Sequence, residues 1–303
     1  MLRTVIVPLD GSSFAEQVLP LAVAVARASK TDLRLVHVHQ SLFFEGRPYA
    51  EQDQDLDIRA RRQELEYLEH FADTVRAAAD VAVEFELLDG DPATAVLDHA
   101  QTVDAGLIVM ATHGRGGVAR AWLGSVADEL VRKSSLPLLL VRPSGEQAPD
   151  LEDLPAIRRI LIPLDGSSLA EHVIEPATRL GDAFGARYTL LRVITRTVVP
   201  GAPHVAHAID EERLIKELRE REAREYLARV EERLVESGAA VETIVASGAP
   251  APTILQHADE LDADVISIAT HGRGATLRAF LGSVADKVVR GSTRPVLVYR
   301  PRI

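Results

Sequence analysis

The segment ATHGRGGVARAWLGSVAD, beginning at Ala111, returns as ATHGRGATLRAFLGSVAD from Ala269, and VIVPLDGSS near the amino terminus returns as ILIPLDGSS. This internal identity constrains the fold more than any composition figure, because a repeat of this length is one folding unit used twice. Pro8 aligns with Pro163, an offset of 155, and Ala111 with Ala269, an offset of 158. The second copy therefore carries three extra residues, between its second strand and Gly248. With 303 residues in the chain, each copy has about half, enough to bury a core of its own. The expected domains are 1–143 and 157–303, joined by a linker at 144–156 in the Pro-, Gly- and acid-rich run PSGEQAPDLEDLP.

Each copy alternates strand and helix. In the first, RTVIVPL is an apolar run of strand length, and SFAEQVLPLAVAVARAS has helical spacing after the N-cap candidates Ser12 and Ser13, with Pro20 expected to kink it. LRLVHVH is a second strand, followed by the long charged helix LDIRARRQELEYLEHFADTVRAAA. VAVEFELL alternates like a strand with one exposed side, and DPATAVLDHAQ is a short helix with Pro92 in its first turn. AGLIVMA is nearly uninterrupted in apolar character, as a central parallel strand covered on both faces must be; SVADELVRKS and PLLLVR complete the unit. The expected fold is α/β: two open parallel sheets of five strands with right-handed crossovers and helices on both faces.

In such sheets a ligand binds at the carboxyl ends of the strands, where the strand order reverses. The two most strictly repeated segments, PLDGSS and ATHGRG, both fall at carboxyl ends. Gly114, Gly116 and Gly117 permit positive φ and close backbone approach, and Gly124-Ser125 opens the next helix, whose free amides favour an anion. Arg115 and Arg120 are the cations at hand, and Gly272, Gly274, Gly282, Ser283, Arg273 and Arg278 recur in the second copy. The glycines could equally shape a connection, with Ser125 as a cap, but a turn alone would not require the same histidine and both arginines twice. Asp10 and Asp165 end the first strand of each copy; they suit either hydrogen bonds to a base or ribose, or an Asx turn into GSS.

Known phosphate loops do not match. A P-loop needs a lysine and a tighter glycine spacing, and a dinucleotide fingerprint would follow the first strand, where PLDGSS stands. A phospho-acceptor site is also disfavoured, since no second acid accompanies Asp10. With these motifs in view the chain resembles the universal stress proteins, as a tandem of two UspA-type domains, which implies the strand order 3-2-1-4-5 in each sheet. The nucleotide-binding branch of that family has an aspartate after the first strand and G-x2-G-x9-G-[ST] after the fourth. Here the matches are Asp10 with Ala111-x2-Gly114-x9-Gly124-Ser125, and Asp165 with Ala269-x2-Gly272-x9-Gly282-Ser283. Alanine replaces the first glycine in both copies; this strains the backbone if the position needs positive φ and is harmless if it needs only smallness.

Carried over residue by residue, the resemblance implies that Pro8, Asp10 and the backbone of Val38 border adenine. Met110, Ala111, His113, Gly114 and Arg115 would follow the ribose and phosphates, and Gly124, Ser125 and Val126 would hold the phosphate end. The second site would comprise Pro163, Asp165, Val193, Ile268, Ala269, His271, Gly272, Arg273, Gly282, Ser283 and Val284. The implied cofactor is ATP, or AMP or ADP, with Mg accompanying a triphosphate. The implied role is a stress-response regulator or sensor; a weak ATPase and a family member acting through protein partners without nucleotide are the alternatives. The last strands, PLLLVR and PVLVYR, resemble the family's dimerising edge, which implies pairing of the two halves within the chain and a homodimer as a further assembly.

Other features narrow the classes. The net charge of −11 argues against a nucleic-acid partner, and the absence of cysteine removes disulfides and thiolate chemistry. No apolar stretch reaches bilayer length and no cleavable signal pattern opens the chain, so a cytoplasmic, non-membrane protein is expected. His37 and His39 lie on one strand face but are not repeated, and His204 and His207 lie in a Pro/Gly loop; no metal site is assigned to either pair. No Ser–His–acid set or carboxylate pair stands out, so no catalytic residue is assigned, and the charges on the two long helices fit solvated faces.

Overall fold

A computed structural model describes residues 2–41, 51–113, 123–143, 149–195, 206–270 and 282–301, with side chains left out at 51–53 and 206–212. The chain divides into two compact units, Met1–Ala156 and Ile157–Ile303. In the first, the elements are β1 (Val5–Pro8), α1 (Ser13–Glu16), α2 (Leu19–Ser29), β2 (Leu33–His39), α3 (Glu51–Ala78), β3 (Val83–Asp89), α4 (Pro92–Thr102), β4 (Leu107–Ala111), α5 (Ser125–Lys133) and β5 (Leu138–Val141). The second repeats them as β6 (Arg159–Pro163), α6 (Ser168–Glu171), α7 (Ile174–Asp182), β7 (Arg187–Ile194), α8 (Ala206–Glu236), β8 (Ala240–Ser247), α9 (Pro250–Glu260), β9 (Val265–Ala269), α10 (Ser283–Gly291) and β10 (Val296–Tyr299).

Within each unit the strands are parallel and ordered 3-2-1-4-5: β3-β2-β1-β4-β5, and β8-β7-β6-β9-β10. This is the α/β architecture that the alternating pattern predicts. Val5, Ile6 and Val7 of β1 and all five residues of β4 are buried, as befits central strands covered on both faces. The edge strand β3 instead alternates, burying Val83 while exposing Glu84 and Glu86.

The helix after β1 departs from expectation. Pro20 does not kink one continuous helix. The chain forms a four-residue α1, breaks at Gln17–Val18 and restarts as α2 with Pro20 in the first turn, where its missing amide proton leaves no bond unmade. The second unit breaks at the same place, between α6 and α7.

The reversal of strand order lies between β1 and β4. Their ladder spans two registers, Val5↔Leu107 and Ile6↔Ile108, and β6 and β9 likewise pair at Ile160↔Val265 and Leu161↔Ile266. Pro8 and Pro163, which have no amide hydrogen to donate, fall just beyond the ladder. The carboxyl-terminal halves of the two central strands are thus unzipped, and the crevice lies there.

Candidate functional site

Two chain segments flank this crevice in each unit, and both are held by local hydrogen bonds. After β1, Gly11 takes φ 76 and lets the chain double back, so that Asp10 Oδ1 accepts from the Ser12 amide at 3.0 Å and from its hydroxyl at 2.5 Å. Ser12 Oγ in turn accepts from the Ala15 amide at 3.2 Å and caps α1. The second unit reproduces this: Gly166 has φ 85, Asp165 Oδ1 accepts from the Ser167 amide at 2.9 Å and hydroxyl at 2.5 Å, and Ser167 caps α6. The Asx turn is therefore real in both copies. It fixes the orientation of the carboxylate in each.

The second segment follows β4. The Thr112 amide donates to the Val141 carbonyl at 2.8 Å, and the Gly124 amide donates to the Thr112 carbonyl at 2.7 Å. Thr112 Oγ1 and His113 Nδ1 are 3.0 Å apart. Of the loop residues expected to meet phosphate, Gly114, Arg115, Gly116, Gly117 and Arg120 lie outside the described residues, as do His271, Gly272, Arg273, Gly274 and Arg278. Gly124 caps α5 and Gly282 caps α10, and neither supplies a side chain to the first-turn amides. Those amides, with Ser125 and Ser283 exposed at the first helical position, form a donor set that suits an anion.

Ala111 and Ala269 end β4 and β9 in extended conformation and are not among the described residues with positive φ. Alanine is unstrained there, and what the position offers is smallness. Met110 and Ile268 are buried beside them. Val38 sits on β2 in register with Leu88, and Val193 on β7 in register with Ala246.

A polar network beneath the first Asp turn escapes the sequence reading. His37, buried in β2, donates from Nδ1 to the Leu9 carbonyl at 2.7 Å, and its Nε2 lies 3.5 Å from Glu64. His39, with 1 % of its side chain exposed, meets Glu64 at 2.6 Å through Nδ1 and Asp57 at 2.9 Å through Nε2. Burial opposes a charge on His39, but hydrogen bonds to Asp57 and Glu64 outweigh it and raise its pKa; the same bond to His39 depresses that of Asp57. Among the described residues no group of three or more His, Cys, Asp or Glu is arranged to hold a metal ion. His207 belongs to α8 and not to a loop, while His204 lies outside the described residues.

A tyrosine–glutamate pair also recurs. Tyr67 of α3 donates to Glu16 of α1 at 3.1 Å, and burial, then Glu16, pushes the phenol's pKa up. In the second unit Tyr226 approaches Glu171 without meeting hydrogen-bond geometry, and the two line a cleft of about 430 Å³ with Gly166, Ser168 and Arg233. The signal was present in the sequence as Glu-Tyr-Leu at 66–68 and 225–227, within helices whose charges otherwise fit solvated faces.

The sequence pattern described as the Universal stress protein family matches residues 1–142 and again 156–300. The chain belongs to the universal stress protein family. A universal stress protein of Mycobacterium tuberculosis is 25 % identical over 98 % of this chain and 96 % of its own length. A Bacillus subtilis universal stress protein is 32 % identical over 47 % of this chain and 98 % of its own length, consistent with one unit standing as a whole protein there. The crystal structure of a universal stress protein from Archaeoglobus fulgidus shares the fold, with a TM-score of 0.72 at 20 % identity, covering 99 % of this chain and 98 % of that one. As in the sequence expectation, this universal stress protein is a tandem. Among its described residues no helix is long and apolar enough to cross a membrane.

Proposed function

We propose that this universal stress protein binds an adenine nucleotide, ATP or its di- or monophosphate, in each unit, and that occupancy selects its partners during stress. One observation carries this reading. In both units the crevice at the strand-order reversal is flanked by a braced aspartate turn and by a helix that opens on glycine with no capping side chain. Asp10 and Asp165 would accept hydrogen bonds from ribose or base. The first-turn amides of α5 and α10, with Ser125 and Ser283, would receive phosphate oxygens. A bound triphosphate would bring magnesium and its charge; the chain's own part is to bind, orient and exclude water. Small Ala111 and Ala269 leave the backbone open to the ligand.

Incubation of the full-length protein with radiolabelled ATP, followed by separation of bound and free label, tests the reading. Retention without product is the expected result. Multiple turnovers would make it an ATPase, and no retention of ATP, ADP or AMP would overturn nucleotide binding. A native mass spectrum of the purified chain identifies any copurified nucleotide and its stoichiometry.

A further inference from the structure

Leu9 and Leu164 each precede the turn aspartate by one residue, where the chain leaves the first strand of its unit. Their amides are held by the neighbouring strand, Leu9 on the Val36 carbonyl at 2.8 Å and Leu164 on the Leu191 carbonyl at 2.9 Å. Their carbonyls are held by a side chain. In the first unit His37 Nδ1 donates to Leu9 at 2.7 Å. The registers Pro8↔Val36 and Pro163↔Leu191 put Arg192 at the position equivalent to His37, and Arg192 Nη1 donates to Leu164 at 3.3 Å. The guanidinium lies under the turn itself, for a Cβ added to Gly166 would come within 3.3 Å of Nη2.

Imidazole and guanidinium differ in size, shape and charge. Their surroundings differ too: His37 faces Glu64 and stacks edge-on with Tyr67, whereas Ala223 stands in α8 at the register of Glu64. That register follows from the buried pairs Leu68/Leu227 and Phe71/Val230. A side chain kept only for packing would not change this much and still end on the same oxygen. The hydrogen bond is the common element.

We propose that His37 and Arg192 are positioning residues: each pins the carbonyl before Asp10 or Asp165 and so holds the Asp-Gly-Ser turn in the geometry that presents the carboxylate to ligand. The step from turn to ligand rests on the nucleotide reading above; the step from clamp to turn does not. Leucine removes the donor, while exchange between the two native residues keeps it.

The test uses the full-length protein carrying His37→Leu, His37→Arg, Arg192→Leu or Arg192→His. Amide protection is measured at residues 9–13 and 164–168, and ATP affinity by calorimetry. Each leucine variant is expected to lose about fivefold in protection at its own turn and in affinity at its own site, as one hydrogen bond of about 1 kcal/mol implies, with the other unit unchanged. Each exchange variant is expected to stay within about twofold of the parent. Parent-like protection in the leucine variants, or exchange variants as impaired as leucine, would overturn the proposal. If a leucine variant does not fold, the exchange pair decides alone. If the parent binds no adenine nucleotide, the functional reading falls while the protection comparison still judges the clamp.

Discussion

The twin glycine caps are not twins in conformation. Gly124 has φ −61 and ψ 154, which any residue can adopt, whereas Gly282 has φ 78 and ψ 142, a region almost closed to side chains. Gly124→Asp is therefore expected to keep stability or raise it by about 0.3 kcal/mol as a good N-cap, and Gly282→Asp to lower it by about 1–3 kcal/mol. Thermal unfolding of the two variants side by side checks this. A second residue-scale prediction concerns Gly181 of α7, where a Cβ would sit 2.5 Å from the Tyr188 hydroxyl and 2.9 Å from Ile160 Cδ1. Gly181→Ala should destabilise by about 1–3 kcal/mol through overpacking, read as a lower urea midpoint. Neither difference was legible in the sequence, because a glycine letter does not say whether it is needed for its φ, for space, or for neither. Ala111 shows the converse: its strand context, plain in the letters LIVMA, already indicated that smallness and not φ was at stake.

Helix α3 is fastened to the sheet through His39, a position that Ile194 holds in the second unit. His39 is faced by Asp57, Arg61 and Glu64 from α3, by Asp89 through Arg61 at the end of β3, and by His37 along β2, with Tyr67 and Glu16 beyond. Both ring nitrogens meet carboxylates, so the charged imidazolium is the form that serves both. With its folded pKa raised, His39 contributes fully below the ordinary imidazole value of about 6.5, and the contribution is withdrawn as pH climbs through the folded value. Asp57, depressed, contributes above the ordinary aspartate value of about 3.9 and is lost as pH falls through its lower folded value. Hydrogen exchange corrected for intrinsic rates should show the first half of α3 loosening on the alkaline side while α8, which packs on β7 where Ile194 stands in place of His39, does not. His39→Ile should flatten that alkaline response. Element types and order were readable because apolar periodicity is local; this network was not, since it joins residues as far as 51 positions apart whose charges look solvated one helix at a time.

At the scale of the chain, duplication gave two units with one strand order but unequal details, and the nucleotide reading predicts two equivalents bound per full-length molecule. Gly124→Asp, by setting a carboxylate against the α5 amides, should reduce this to one while leaving the fold intact, as a titration by calorimetry would register. The division into two units and the segments that flank the crevice followed from the repeat, because doubled letters mark what both copies needed. Letters that differ between copies mislead when different groups meet the same need. The histidine and arginine that serve equivalent carbonyls share no letter, only a proton to give; a survey of relatives should group that position by donor capacity and disregard identity.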